Sequence, residues 1–197
     1  MPAALNPQQE QELLNKAKKD LVAFREIYAC YFPRVYAYVG YRVGRVQDTE
    51  DVVSAVFLKA IERLDSFEWR GAGSFTGWLF RIAHDLVVDY YRQHLNDQAV
   101  LPIDNLPNLA QSILLPEDEV LQKEKFARLQ ALISTLSSRR KEIITLRFYG
   151  RLRNNEIAQV LGLDERTVAS HLCRGLEDLH RLYINEFVQR DEFTQSE

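Results

Sequence analysis

Residues 74–92 read SFTGWLFRIAHDLVVDYYR, and the pattern of this stretch decides how the rest of the chain can fold. Phe75, Trp78, Leu79, Ile82, Leu86 and Tyr90 recur at three- and four-residue steps, the period of one apolar helix face. Arg81, Asp85, Val88 and Arg92 repeat at similar steps on a second face. Ser74 stands where an N-cap hydroxyl satisfies the first free amides. The spacing predicts a helix with one face in a core. The other face, with Phe80 and Tyr91 nearby, presents cations, an acid and rings to a partner. A helix whose charges are merely solvated has the same periods, so the neighbouring segments decide between the two.

Upstream, residues 1–19 read as a polar, partly helical lead-in. From Asp20 to Val39, Leu21, Phe24, Tyr28, Tyr31, Val35 and Val39 form a helical stripe that Ile27, Phe32 and Tyr36 widen. Gly40 to Gln47 reads as a connection. DTEDVVSAVFLKAIERL then starts a helix with Asp48 as N-cap and Val53, Val56, Phe57, Ala60, Ile61 and Leu64 as its core face. Asp65 to Gly73 (DSFEWRGAG) is a loop leading into the 74–92 helix, and three helices with faces this wide close one small core.

Downstream, residues 95–116 carry Pro102, Pro107 and Pro116 with no sustained period, as a flexible linker does. A helix resumes near Glu117 and runs toward Ile133. Ser137 or Ser138 caps SRRKEIITLRFYG, which Gly150 ends. NEIAQVL (155–161), a turn at Gly162-Leu163, and a helix capped by Asp164 make a helix-turn-helix. Ile157, Ala158, Leu161, Leu163, Val168 and Leu172 fall between its two helices. Glu165, Arg166, Ala169, Ser170, His171 and Arg174 remain toward solvent, where side chains enter a major groove. The fold class is therefore all-α, two small helical domains joined by a flexible linker.

Composition narrows the function. The chain has 197 residues, 46% hydrophobic and 27% charged, as in a soluble globular protein. It contains no apolar run of membrane-span length and no basic-then-apolar leader, so the expected location is cytoplasmic. Cys30 and Cys173 form no C-x-x-C pair, and His171, Cys173 and His180 lack a fourth ligand at a metal-binding spacing, so no metal site is expected. Net charge is −3, but it is unevenly spread. Residues 15–95 hold 12 Lys/Arg against 10 Asp/Glu and residues 136–183 hold 9 against 6, while residues 96–135 hold 3 against 6. Two mildly basic blocks joined by an acidic one suit two DNA-touching modules that bind DNA weakly by themselves.

In this order and at this length, FREIYACYFPRVYAYV, DTEDVVSAVF, SFTGWLFRIAHDLVVDYYR and LSSRRKEIITLRFYGRLRNNEIAQVLGLDERTVASHLCRGLEDL resemble a bacterial sigma factor of the sigma-70 family. The type is the extracytoplasmic-function class (group 4), which has only regions 2 and 4. The resemblance implies region 2 over 20–94, an acidic Pro-containing linker over 95–117, region 4 over 118–183 and a short acidic tail over 184–197. It implies a non-enzymatic, promoter-specific initiation factor without a cofactor. Its partners are core RNA polymerase (clamp and flap), promoter DNA as single strand and duplex, and, as a regulator, an anti-sigma factor; no membrane insertion is implied.

By the same resemblance, Asp48, Glu50, Asp51, Val52 and Phe57 dock on the polymerase clamp. Ser54-Ala55 replace a Gln-Glu pair usual in the family, which removes two polar contacts. Phe67, Trp69, Arg70, Arg81, Asp85, Val88 and Arg92 meet the minus-ten element, where a base is extruded from the non-template strand. Asp85 replaces a usual Asn, and a carboxylate only accepts hydrogen bonds, so base preference is expected to shift toward an exocyclic amine such as cytosine's. Arg139, Arg140, Glu165, Arg166, Ala169, Ser170, His171 and Arg174 meet the minus-thirty-five duplex, with Ala169 where a Lys is common.

Two other readings compete. His84-Asp85 spells the dyad of HD-type metal phosphohydrolases, but no histidine precedes His84 to complete that site. A helix-turn-helix DNA-binding regulator or interaction module that borrowed these domains without initiating transcription is favoured slightly by Ser54-Ala55 and Asp85. The presence of both domains, the linker and their spacing disfavour it, and the output domain of a response regulator explains only residues 138–182.

Overall fold

Asp20 starts the long helix of the amino-terminal half because its carboxylate, on extended backbone, accepts a hydrogen bond from the Val22 amide. The computed structural model describes residues 6–94 and 119–194, with side chains over 6–94 and 127–185. Among the described residues the elements are all helices: α1 (Pro7–Ala17), α2 (Leu21–Val43), α3 (Val46–Glu62), α4 (Ser74–His94), α5 (Glu119–Ser134), α6 (Ser138–Phe148), α7 (Asn154–Leu161) and α8 (Glu165–Thr194). The linker expected over 95–117 lies outside them.

Several boundaries differ from the sequence expectation, each for a local reason. Helix α2 passes Gly40 and stops at Gly44, whose φ of +80° ends it in the left-handed conformation that glycine adopts without strain. That leaves only Arg45 before α3, so Asp48 sits in the first turn instead of capping it. Ser74 does not cap α4 as expected. Its hydroxyl donates back to the Gly71 carbonyl (2.7 Å) and accepts from the Arg70 amide (3.2 Å), tying down the preceding loop. Helix α8 continues past Tyr183 to Thr194 without a break. Asp164 caps it as expected, through the Thr167 amide (2.9 Å).

Of the polar, partly helical lead-in expected over 1–19, the described residues 6–19 do form a helix, but one with a buried face. Asn6 and Gln9 form a reciprocal capping box that starts α1, and Leu13, Leu14 and Ala17 bury on α2. Glu10 is buried too, accepting a hydrogen bond from the Tyr31 hydroxyl. Helix α1 is therefore the fourth wall of the amino-terminal lobe. That lobe packs α1, α3 and α4 around α2, with Phe24, Ile27, Tyr31, Val35, Val56, Phe75, Leu79 and Val87 inside.

In the carboxy-terminal lobe α8 packs on α5, α6 and α7. Ile157, Ala158 and Val168 are buried between the helix-turn-helix elements, with Leu161, Leu163 and Leu172 partly buried beside them, as their spacing predicts. Gly162, at φ +65°, makes the turn.

The two lobes touch. Helix α4 lies on α7 and α2 on α6, and Ile143, Leu146, Leu152 and Ile157 join the same hydrophobic cluster as the amino-terminal core. Phe80 and Tyr38, both fully buried, belong to this junction.

Candidate nucleic-acid interface

The residues expected to dock on polymerase lie along α3. Glu50 and Asp51 are exposed, Val52 is half-buried, and Phe57 is a core residue at 3% exposure. Asp48 turns inward and accepts from the Tyr90 hydroxyl at 2.6 Å; burial and this carboxylate push the Tyr90 phenol up to about 12. Beside Glu50 and Asp51 runs a surface that periodicity alone assigned to the core. Tyr28 (42% exposed) and Phe32 pack on each other and on Phe57, and Phe32 also on Tyr36, in tilted or stacked pairs with centroid distances of 4.6 to 6.4 Å. Leu58 is exposed on the same helix as the acids. An exposed tyrosine ring and an exposed leucine thus lie on the α2–α3 surface that also carries Glu50 and Asp51.

The expected minus-ten residues divide between the 65–73 loop and α4. Two glycines at positive φ, Gly71 (+105°) and Gly73 (+83°), shape the loop. Lys18, at the end of α1, holds it from below, its ammonium donating to the carbonyls of Phe67 (2.5 Å) and Asp65 (3.3 Å). Trp69 is half-buried, and Arg70 is exposed and paired with Glu68 at 3.2 Å, so a ring and a guanidinium stand at the loop surface. Phe67 is placed differently: it is buried, its ring edge-on to Phe75 (5.4 Å) and 5.0 Å from Trp78, which makes it the floor of the loop.

On α4, Arg81, Asp85 and Arg92 are exposed and Val88 is half-buried, along one side. His84 Nδ1 lies 3.2 Å from Asp85 Oδ1. Arg92 approaches Asp89 at 3.4 Å, while Arg81 donates to the Gln159 carbonyl of α7 at 3.2 Å. Phe80, expected among the partner-facing rings with Tyr91, is fully buried at the lobe junction. No group of three or more His, Cys, Asp or Glu able to hold a metal occurs among the described residues.

The expected minus-thirty-five residues cluster at the amino-terminal end of α8. Glu165, Arg166, Ala169, Ser170 and Arg174 are exposed on successive turns, and His171 is half-buried. Arg139 is exposed at the start of α6, whereas Arg140 is bound to Asp178 of α8, which also pairs with Arg181 at 2.8 Å. Arg140 thus fastens α6 to α8. Arg166 and Arg174 are thus exposed along the first turns of α8, with Arg139 exposed at the start of α6.

A helical lobe with an aromatic, loop-bordered face and a second lobe built as a helix-turn-helix define a class of DNA-reading initiation factor, and comparison with known proteins agrees. The sigma-70 region 2 family matches residues 27–95, and sigma-70 region 4 matches residues 126–179. The chain is 30% identical over 176 residues to the ECF RNA polymerase sigma-E factor of Escherichia coli, covering 85% of this chain and 91% of that protein. It is 33% identical over 172 residues to BldN of Streptomyces coelicolor, covering 87% of this chain and 64% of BldN. With SigW of Bacillus subtilis it shares 29% over 171 residues, 83% of this chain and 90% of SigW. In fold it is similar to CnrH, solved with the cytosolic domain of CnrY (TM-score 0.64, 22% identity, 88% of this chain and 96% of that one). It is also similar in fold to the Bartonella quintana sigma factor RpoE, solved with the anti-sigma factor NepR (TM-score 0.59, 19% identity, 81% and 96%). The chain belongs to the sigma-70 family, in its extracytoplasmic-function group: it is an RNA polymerase sigma factor.

Proposed function

We propose that this sigma factor acts by dividing promoter reading between its lobes while α2 and α3 hold it to core RNA polymerase. The observation that carries this is the coexistence, on one chain, of an exposed acidic-aromatic docking face, an aromatic loop beside α4 and a free helix-turn-helix reading end.

Glu50 and Asp51 pair with cations of the clamp, with Val52, Tyr28, Phe32 and Leu58 supplying apolar contact above Phe57. Asp48 acts from within, fixing the first turn of α3 through Tyr90. Trp69 and Arg70 engage an unstacked base of the non-template strand, and stacking on such a ring returns about 1–3 kcal/mol, comparable to the cost of unstacking. Phe67 supports that loop from the core. Arg81, Val88 and Arg92 line the strand's path and Asp85 reads an amine donor. In the duplex, Arg166, Ser170, His171 and Arg174 read or clamp the minus-thirty-five element, Ala169 meets a thymine methyl, Glu165 accepts from a base amine, and Arg139 binds backbone phosphate while Arg140 braces the reading helix. The protein works in the cytoplasm with polymerase and DNA, without catalysis of its own, and an anti-sigma factor is its natural regulator.

The test is run-off transcription from a genomic promoter library with purified core enzyme. Specific transcripts that require both core and this chain support the proposal. Sequence-specific duplex binding by the chain alone, with no change in initiation, refutes it in favour of a helix-turn-helix regulator.

A further inference from the structure

The turn between α6 and α7, Gly150-Arg151-Leu152-Arg153, is made of residues that its backbone does not favour. Arg151 has φ +54° and, among the described residues, is the one non-glycine in the left-handed region. A side chain there crowds the following carbonyl, which is why glycine is the ordinary choice. Glycine stands next door, yet Gly150 is not the left-handed residue. Packing requires it where it is: a Cβ on Gly150 would lie 2.8 Å from the Leu146 carbonyl oxygen and from Leu152 Cδ1. Leu152 is fully buried and its amide returns to the Leu146 carbonyl at 3.1 Å, so the left-handed step falls on Arg151.

Arg153 is the second misfit. It stands at the N-cap of α7 on extended backbone (φ −81°, ψ 163°), where Ser, Thr, Asp or Asn would accept from a first-turn amide. A guanidinium has no acceptor, so it caps nothing. Glu156 supplies only the return half, accepting the Arg153 amide at 2.7 Å. Both arginines are exposed, and neither guanidinium has a hydrogen bond or ion pair among the described residues. With Arg147 they make three cations over residues 147–155, a stretch without an acid. Arg34 brings another close, donating to the Gly150 and Arg151 carbonyls at 2.9 and 3.2 Å. Backbone strain, a missing cap and like charge all act against the fold at one spot, and the fold itself makes no use of either guanidinium.

Their position supplies the use. Helix α7 is the first helix of the helix-turn-helix, and in such a pair the first helix crosses the phosphate backbone while the second enters the major groove. Its 8 residues span about 12 Å, the width of that groove. With the start of α8 in the groove, the far end of α7 falls at the groove wall, where the phosphates are. Leu152 points into the core between the two arginines, so both side chains leave that end away from the protein.

We propose that Arg151 and Arg153 grip a backbone phosphate at the edge of the minus-thirty-five duplex, a sequence-blind contact that sets the register of α8. The ligand is a DNA phosphodiester, which guanidinium groups hold by charge-assisted hydrogen bonds. This rests on the reading of α8 as the minus-thirty-five helix, and the experiment separates failure of the two.

The test gives each position the residue its backbone prefers, Arg151→Gly and Arg153→Ser, in the full chain assembled with core enzyme. Each change is expected to raise the unfolding midpoint of the free chain by about 2–4 °C. Each is nonetheless expected to weaken holoenzyme binding to a promoter duplex about eightfold at about 0.1 M salt and hardly at about 1 M. The reason is that one phosphate contact carries a slope of about 0.9 in log K against log salt. The loss is expected to be equal on promoters altered in their minus-thirty-five bases, and Arg153→Lys is expected to keep most of the binding. A methylphosphonate scanned along the element is expected to find one phosphate whose neutralisation weakens the unsubstituted chain but not the double variant. Unchanged affinity and salt slope in the double variant overturn the clamp. So does a loss that varies with base sequence, or a fall in core-enzyme affinity, which would put the arginines on a protein surface. If the double variant binds unchanged, Arg166→Ala tells which claim fails: weakened binding leaves α8 as the reader, and unchanged binding removes that assignment too.

Discussion

Replacing Phe75 by Leu isolates the part of the fold that positions the minus-ten loop. Phe75 has no exposed surface, and its ring contacts three others: Tyr31 of α2 at 5.2 Å, Phe67 of the loop at 5.4 Å and Trp78 of α4 at 5.5 Å. Leucine refills most of the volume but none of the edge-to-face geometry. Three ring pairs at about 0.5–1 kcal/mol each, with a modest shape penalty, give a loss of about 2–4 kcal/mol. That is a large fraction of a stability of about 5–15 kcal/mol, but the chain stays folded. The loss falls on the loop because Phe67 is its floor, whereas the rings of the proposed docking face pair among Tyr28, Phe32, Tyr36 and Phe57. Urea unfolding is expected to show the 2–4 kcal/mol loss at unchanged m-value. Permanganate reactivity of the melted promoter is expected to drop well beyond any change in core binding. A loss under about 1 kcal/mol, or equal falls in core binding and promoter melting, refutes the reasoning.

Three further outcomes follow from individual side chains. Asp85→Asn is expected to move the preferred base at one minus-ten position away from an amine donor, measured on promoters differing only there; an unchanged preference refutes the role given to its exposed carboxylate. Glu10→Gln is expected to stabilise the chain at neutral pH. Burial, opposed by the Tyr31 hydrogen bond and reinforced by Glu156, holds the Glu10 carboxyl above its ordinary 4.5. The folded state then favours the protonated form, so its contribution is present below 4.5 and is lost as pH rises through the raised value. The advantage of Gln over Glu should shrink as pH falls toward 4.5, in denaturation curves compared across that range. Arg166→Ala is expected to weaken holoenzyme binding to a minus-thirty-five duplex by about 1–3 kcal/mol without changing core affinity, measured by titration at fixed salt.

Much of this was readable in the residues. Asp20, Gly162 and Asp164 punctuate helices by local chemistry alone, and Phe75, Leu79 and Ile82 form the buried stripe their spacing predicts. What was not readable depends on residues distant in sequence. Phe80 and Tyr38 lie on faces whose apolar or mixed character is visible, but periodicity cannot say that the covering surface is the chain's own α6 and α7. The hydrogen bond from Tyr90 to Asp48, 42 residues apart, and that from Arg140 to Asp178, 38 residues apart, join side chains whose pairing no local pattern announces. Glu10 sits in a Gln- and Glu-rich run that reads as solvated, and only Tyr31 reveals it as buried. The partly exposed rings of Tyr28 and Phe32 carried a signal, a stripe on α2 wider than one core face needs, that is ambiguous without α3 beside it.

The measurement that bears most directly on the account is a hydroxyl-radical footprint of the holoenzyme on one of its own promoters, beside the chain alone and the core enzyme alone. Two protected tracts centred about 25 base pairs apart, seen only when chain and core are combined, are predicted. A single tract, or the same tracts from the chain without polymerase, contradicts it.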